Sequence, residues 1–282
     1  MLGKLIKYDM KSMSRAFIPM WILAPVVAMM LSFSIRGTIA WANSSAIGNM
    51  ISVGNGLLMA IMVLLFVAAI IGLFVMTVMF VIQRFWNGLL KEEGYLMFTL
   101  PVKTWELIVS KALTATLVSS ISIAVGVFSG VILAVLSTEE VVRTMAMWWE
   151  YVFSSIIKVG PMFWLNVVLS ILLMILGTAS NIYHTYAAMA LGHLFQGHKV
   201  AGACVSYIVI SVVFSIVGSI ANAILSLFLP DDWMHYMISS SYSMVGRLGM
   251  IYLLYLLLCS TIQLIIYHVI TERILSTRLN LE

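Results

Sequence analysis

The sequence predicts an all-α membrane protein with six transmembrane helices, and three observations carry that expectation. Of 282 residues, 62% are hydrophobic and only 9% charged, with a mean hydropathy of +1.09. A soluble domain carries about 25% charged residues, so this chain cannot cover itself with polar surface. Its apolar runs reach about 20 residues or more, the length a helix needs to cross the hydrocarbon core; a barrel would show alternating segments of about 10. The cations are also unevenly shared between the two sets of loops that six spans create, as counted below.

Residues 1–15 are expected to form an N-terminal amphipathic interfacial helix. Lys4, Lys7, Lys11 and Arg15 recur on one face, and Leu2, Ile6, Met10 and Met13 on another. That pattern suits a helix lying in the membrane surface. Ala40-Trp41-Ala42 resembles a signal-peptide cleavage site, but the apolar run from Ala16 to Ile35 exceeds the 7–15 residues of a signal h-region. The run is therefore read as the first span, 17–35. The others are 56–83, 107–136, 161–190, 200–228 and 248–270. Polar loops are expected at 36–55, 137–160, 192–199 and 229–247. Trp148, Trp149 and Tyr151 suit an aromatic belt.

Six spans put both termini on one side. With them lie Lys4, Lys7, Lys11, Arg15, Arg84, Lys91, Lys103, Lys111, Lys199, Arg273 and Arg278, 11 of the 15 cations; Arg36, Arg143, Lys158 and Arg247 lie opposite. The bias predicts cytoplasmic termini in a multi-pass plasma-membrane protein. The net charge of +4 fits loops facing anionic lipid rather than nucleic acid. No linker divides the chain, which reads as one membrane domain, 1–282. Cys204 and Cys259 both fall in apolar runs and read as small buried groups rather than a disulfide.

The stretch from Arg84 to Lys111, RFWNGLLKEEGYLMFTLPVKTWELIVSK, is too polar to cross a bilayer and too patterned for a loose linker. Gly94 can end a helical turn. Pro101 disfavours helix at Leu100. Thr104 is expected to cap the next helix, with Glu106 in its first turn. The expected order is helix end, short amphipathic piece, break, new helix. Such a segment suits docking to a soluble partner; it also suits an interfacial loop that only joins two spans.

The chemistry is sparse. There is no G-x-x-x-x-G-K-[ST], no H-E-x-x-H and no Cys-x-x-Cys. None of the 11 acidic residues falls within an expected span core, which argues against a proton- or sodium-coupled carrier. Uphill transport would then draw its energy from a separate ATPase chain. His184, His193 and His198 gather near one expected cytoplasmic end. They read as packing histidines, or as a metal site or proton relay in an integral membrane enzyme or metal-binding protein. An ATP-independent channel is a further alternative. Asn181, Tyr183, His184 and Tyr186 make the inner end of the fourth span polar, through interhelical hydrogen bonds or a cargo-path lining. Gly126 and Gly130 form a GxxxG, and Ser211, Ser215, Ser219 and Ala223 a stripe of small residues in the fifth span. The 21 methionines offer adaptable apolar surface.

Glu93-Gly94-Tyr95-Leu96-Met97-Phe98-Thr99-Leu100-Pro101-Val102, followed by Ser110-Lys111, resembles the cytoplasmic loop of the ABC-transporter type-2 permease family. The resemblance extends to the span layout of nearly the whole chain. It implies a transmembrane permease subunit of a bacterial ABC exporter, non-catalytic itself, with no cofactor on this chain because ATP and Mg are bound by a partner ATPase. A coupling helix in the 84–106 loop would contact that cytoplasmic ATPase through Leu90, Glu92, Glu93, Gly94, Tyr95, Leu96, Phe98 and Pro101. A second permease subunit would complete a homo- or heterodimer. The fifth span would lie near the subunit interface and cargo path, assigning Ser211, Ser215 and Ser219, with Asn181 and His184, to one or the other. The cargo expected from apolar, Met-rich spans is hydrophobic or amphipathic: a peptide, drug or lipid-like molecule.

Overall fold

The structure, a computed structural model, describes residues 2–42, 48–90, 103–137, 143–144, 146–150, 153–154, 157, 161–195, 197–228 and 242–277. The described residues are almost entirely helical, with no strand among them. The long helices are α1 (Leu2–Ala42), α2 (Gly48–Phe85), α3 (Thr104–Ser137), α4 (Pro161–Gly192), α5 (Lys199–Phe228) and α6 (Tyr242–Thr277). A π-helical turn, Trp86–Leu90, extends α2. All six helices are long and apolar enough to cross a membrane, consistent with a multi-pass membrane protein. Helix is what such sequences must form in lipid, because every backbone N–H and C=O has to be satisfied within its own segment.

Each expected span lies inside one of these helices, but the helices are longer. At 30–41 residues they measure about 45–60 Å, against a hydrocarbon core of about 30 Å. Two expected boundaries shift for that reason. The loop foreseen at 36–55 is helical over 36–42 and 48–55, and residues 43–47 lie outside the described residues. Residues 2–15 are helical but continuous with the first span, as Pro19 and Pro25 do not end α1. Lys7, Lys11 and Arg15 face outward, while Asp9, Met13 and Phe17 are buried. The expected cap also moves by one residue: the Lys103 carbonyl accepts from the N–H groups of Glu106 (3.0 Å) and Leu107 (3.4 Å). Lys103 thus takes the N-cap position, and Thr104 the first helical one.

The chain forms two compact units. Unit 1 comprises residues 1–6, 81–116 and 154–282, and unit 2 residues 7–80 and 117–153. The core of unit 2 is Met13, Phe17 and Val118, with Trp21 and Phe80 packed on it. Phe17 meets Phe80 edge to face at 5.3 Å, and the Trp21 indole N–H donates to Ser122 Oγ at 3.0 Å. In unit 1, α4 packs against both α5 and α6. Its core gathers Phe85, Leu89, Leu107, Ile108 and Tyr186, with Phe85 stacked on Tyr186 at 4.0 Å.

Polar side chains in the spans mostly bond within their own helices. Ser129 Oγ donates to the Val125 carbonyl, Thr116 to Ala112, and Thr271 to Tyr267, at 2.7–2.8 Å. Large apolar residues such as Ile208, Val212, Ile216 and Ile220 of α5 are exposed, a surface suited to lipid. Gly126 and Gly130 also face open space, with nothing within 4 Å of a Cβ built on either, so the GxxxG forms no close packing among the described residues.

Candidate functional site

The described part of the Arg84–Lys111 stretch is built into unit 1 at both ends. On the α2 side the π-helical turn buries Gly88, Leu89 and Leu90. Such turns interrupt the regular ladder and recur at functional positions. On the α3 side Ser110 and Lys111 are both 2% exposed. The Lys111 chain runs across Gly88: a Cβ there would meet Lys111 Nζ at 2.7 Å and Cε at 3.1 Å. A side chain at position 88 would push the end of Lys111 out of its present place. His193 closes the other flank, its Nε2 donating to the Leu90 carbonyl at 3.2 Å with its ring 6.1 Å from that of Trp86. Burial and the Lys199 cation hold the His193 imidazole below its ordinary pKa, against the opposing pull of the Leu90 bond. It is thus neutral near pH 7.

Beside this turn lies a cavity of about 770 Å³. Trp86 and Leu90 line it from the π turn, His193 from the end of α4, and Gly197 to Ala201 from the start of α5. The α4–α5 connection is compact because both partners are small. A Cβ on Gly192 would lie 2.3 Å from the Ala203 backbone nitrogen, and one on Gly202 would lie 2.7 Å from the Phe195 ring. Gly197 adopts φ +94°, a conformation that favours glycine.

A second cluster joins α4, α5 and α6 within unit 1. His184 is buried and stacked between Tyr207 (4.3 Å) and Tyr267 (5.2 Å). Tyr183 meets the rings of Tyr186 and His268 edge-on, at 6.2 and 5.4 Å. Tyr186 is 0% exposed, and its hydroxyl has no hydrogen-bond partner among the described residues. Ser211 Oγ lies 3.5 Å from His184 Nε2 but donates to the Tyr207 carbonyl at 2.8 Å. Its proton is thus committed to the helix rather than aimed at the imidazole, and the pair lacks the geometry of an activated nucleophile.

Of the sequence-predicted residues, Leu90 is buried beside the cavity, whereas Glu92, Glu93, Gly94, Tyr95, Leu96, Phe98 and Pro101 lie outside the described residues. The three histidines part company. His193 and His198 line the cavity, while His184 belongs to the tyrosine cluster. Among the described residues no three His, Cys, Asp or Glu side chains gather to hold a metal ion. Asn181 faces outward. Of the serine stripe, Ser211 touches His184, and Ser215 and Ser219 are exposed. A further pocket of about 440 Å³ sets Asn166 and Ser170 among the apolar residues of α4, Phe163, Ile171 and Met174 included.

Sequence reasoning missed the π turn, the burial of Lys111 and the two tyrosines around His184. Gly88 one turn after Arg84 was the available signal for the first. Lys111, counted with the cations on the side of the termini although it falls inside the expected 107–136 span, is buried within α3. Tyr207 and Tyr267 are brought to His184 only by helix packing, which the sequence does not display. No protein-family model, curated protein or solved structure matches this chain.

Proposed function

We propose that the chain is the membrane-spanning permease subunit of an ABC-type exporter, working as a dimer with cytoplasmic ATPases. The observation that carries this reading is the charged stretch Arg84–Lys111. Its residues 93–102 and 110–111 resemble the ATPase-facing loop of type-2 permeases, and both of its described ends are embedded in the unit 1 core. Flanks anchored in this way are suited to pass movement of the stretch into the spans. The buried π turn and Lys111 would carry displacement of residues 91–102 into α2 and α3, and His193 would carry it into α4. ATP binding on the partner needs only to favour one permease conformation through differential contacts.

The cargo is read as hydrophobic or amphipathic. The α4 pocket sets two polar side chains in an apolar wall, and the α5 stripe at Ser215 and Ser219 is open for a path lining or a subunit seam. The cation bias supports a cytoplasmic position for both termini and for the 84–106 stretch. The test is purification of the tagged chain from its native membrane. A protein bearing a Walker A motif is expected in stoichiometric amount. A chain that purifies without one, and moves solute in its absence, would be a channel.

A further inference from the structure

The cavity beside the π turn has a composition that the transport reading does not use. It opens where three spans end, at Leu90, Gly192 and Lys199, and helices of this length carry their ends past the hydrocarbon core towards headgroup level. Lys199, His198 and Trp86 are among its lining residues, and no carboxylate lines it among the described residues. Val200 is one of its lining residues, and Val205 and Ile208 further along α5 are exposed. A recess lined by a lysine and a tryptophan, beside exposed apolar residues of α5, suits an anionic headgroup with attached acyl chains. Basic pockets between spans bind acidic phospholipids by this chemistry, and about 770 Å³ lies within the range of small-molecule sites.

We propose that this cavity binds the phosphate headgroup of an anionic glycerophospholipid, with Lys199 as its counter-ion, Trp86 at the headgroup level and the acyl chains along α5. The site requires insertion in a bilayer and not ATP-driven transport, so it stands or falls separately from the permease reading. Occupancy would brace the α4–α5 connection against the π turn.

The experiment reconstitutes the full chain in vesicles of phosphatidylcholine and phosphatidylglycerol at equal mole fraction, extracts it gently, and counts retained lipid by native mass spectrometry. Wild type should enrich phosphatidylglycerol by about fivefold or more, the factor one lysine near an anionic surface supplies. Lys199→Gln, which removes the charge, and Val200→Trp, which fills the cavity, should each bring the ratio close to parity. Arg273→Gln, which removes an exposed cation outside the cavity, should leave it unchanged. Gel filtration of each variant checks that it is folded. The proposal is overturned by no enrichment in wild type, by loss in only one cavity variant, or by equal loss in Arg273→Gln. Displacement of the lipid by excess inorganic phosphate would also overturn it, assigning the cavity to free phosphate.

Discussion

Gly192→Ala probes the contact on which the α4–α5 connection depends. The added Cβ would sit 2.3 Å from Ala203 N, 2.4 Å from its Cα and 2.6 Å from its Cβ. Non-bonded heavy atoms prefer about 3.5–4.0 Å, so the start of α5 must retreat by about 1 Å. The obstacle is backbone, which no rotamer change can clear. Forcing extra atoms into a packed contact costs about 1–3 kcal/mol, whereas alanine in place of glycine returns at most about 1 kcal/mol of helix propensity. A net loss of about 1–2 kcal/mol is expected, measured as the unfolding free energy in mixed micelles titrated with a denaturing detergent. Gly126→Ala is the matched control: nothing lies within 4 Å, so it should be neutral or stabilising by up to about 1 kcal/mol. Equal stabilities for the two variants would refute the close approach of α4 and α5.

Three further outcomes follow from the same geometry. Tyr186→Phe removes a fully buried hydroxyl, unpartnered among the described residues, while keeping the stack on Phe85. It should stabilise by about 1 kcal/mol, and a loss of stability in the same titration would show that the hydroxyl is satisfied. His193 has its folded pKa below its ordinary value, so the unfolded chain binds that proton more tightly. Its contribution to stability is present above about pH 6.5 and is lost as pH falls towards the folded value. His193→Gln should flatten that part of the profile, and an unchanged slope would contradict the assignment. Single cysteines at Ser45, Ser137 and Ser240, in a chain lacking Cys204 and Cys259, should react with an impermeant thiol reagent in intact cells, and one at Ser12 should not; the reverse pattern would invert the topology.

The spans were legible because each is a long apolar run, and lipid leaves such a run only the helix. Their ends were less so, because polar residues such as Arg36 and Thr38 stay helical at the membrane surface. Thr38 can do so because its hydroxyl bonds back to the Ile35 carbonyl. The stretch Arg84–Lys111 stood out by its charge, yet the burial of Lys111 did not. The buried Lys111 side chain passes close over Gly88, and that relation spans 23 residues. The three histidines were grouped by proximity in sequence. Helical phase separates them, turning His184 towards Tyr207 and Tyr267, while His193 and His198 sit past the end of α4 beside the cavity.

The most direct test of the proposed function is ATP turnover by the partner ATPase in vesicles, with and without this chain. Wild-type permease should make turnover responsive to amphipathic peptides or lipophilic drugs. Replacing Glu92 and Glu93 with Lys, or Leu96 and Phe98 with Ser, should abolish that response while leaving the permease inserted. Normal coupling in both variants, or stimulation by polar sugars and ions alone, would contradict the account.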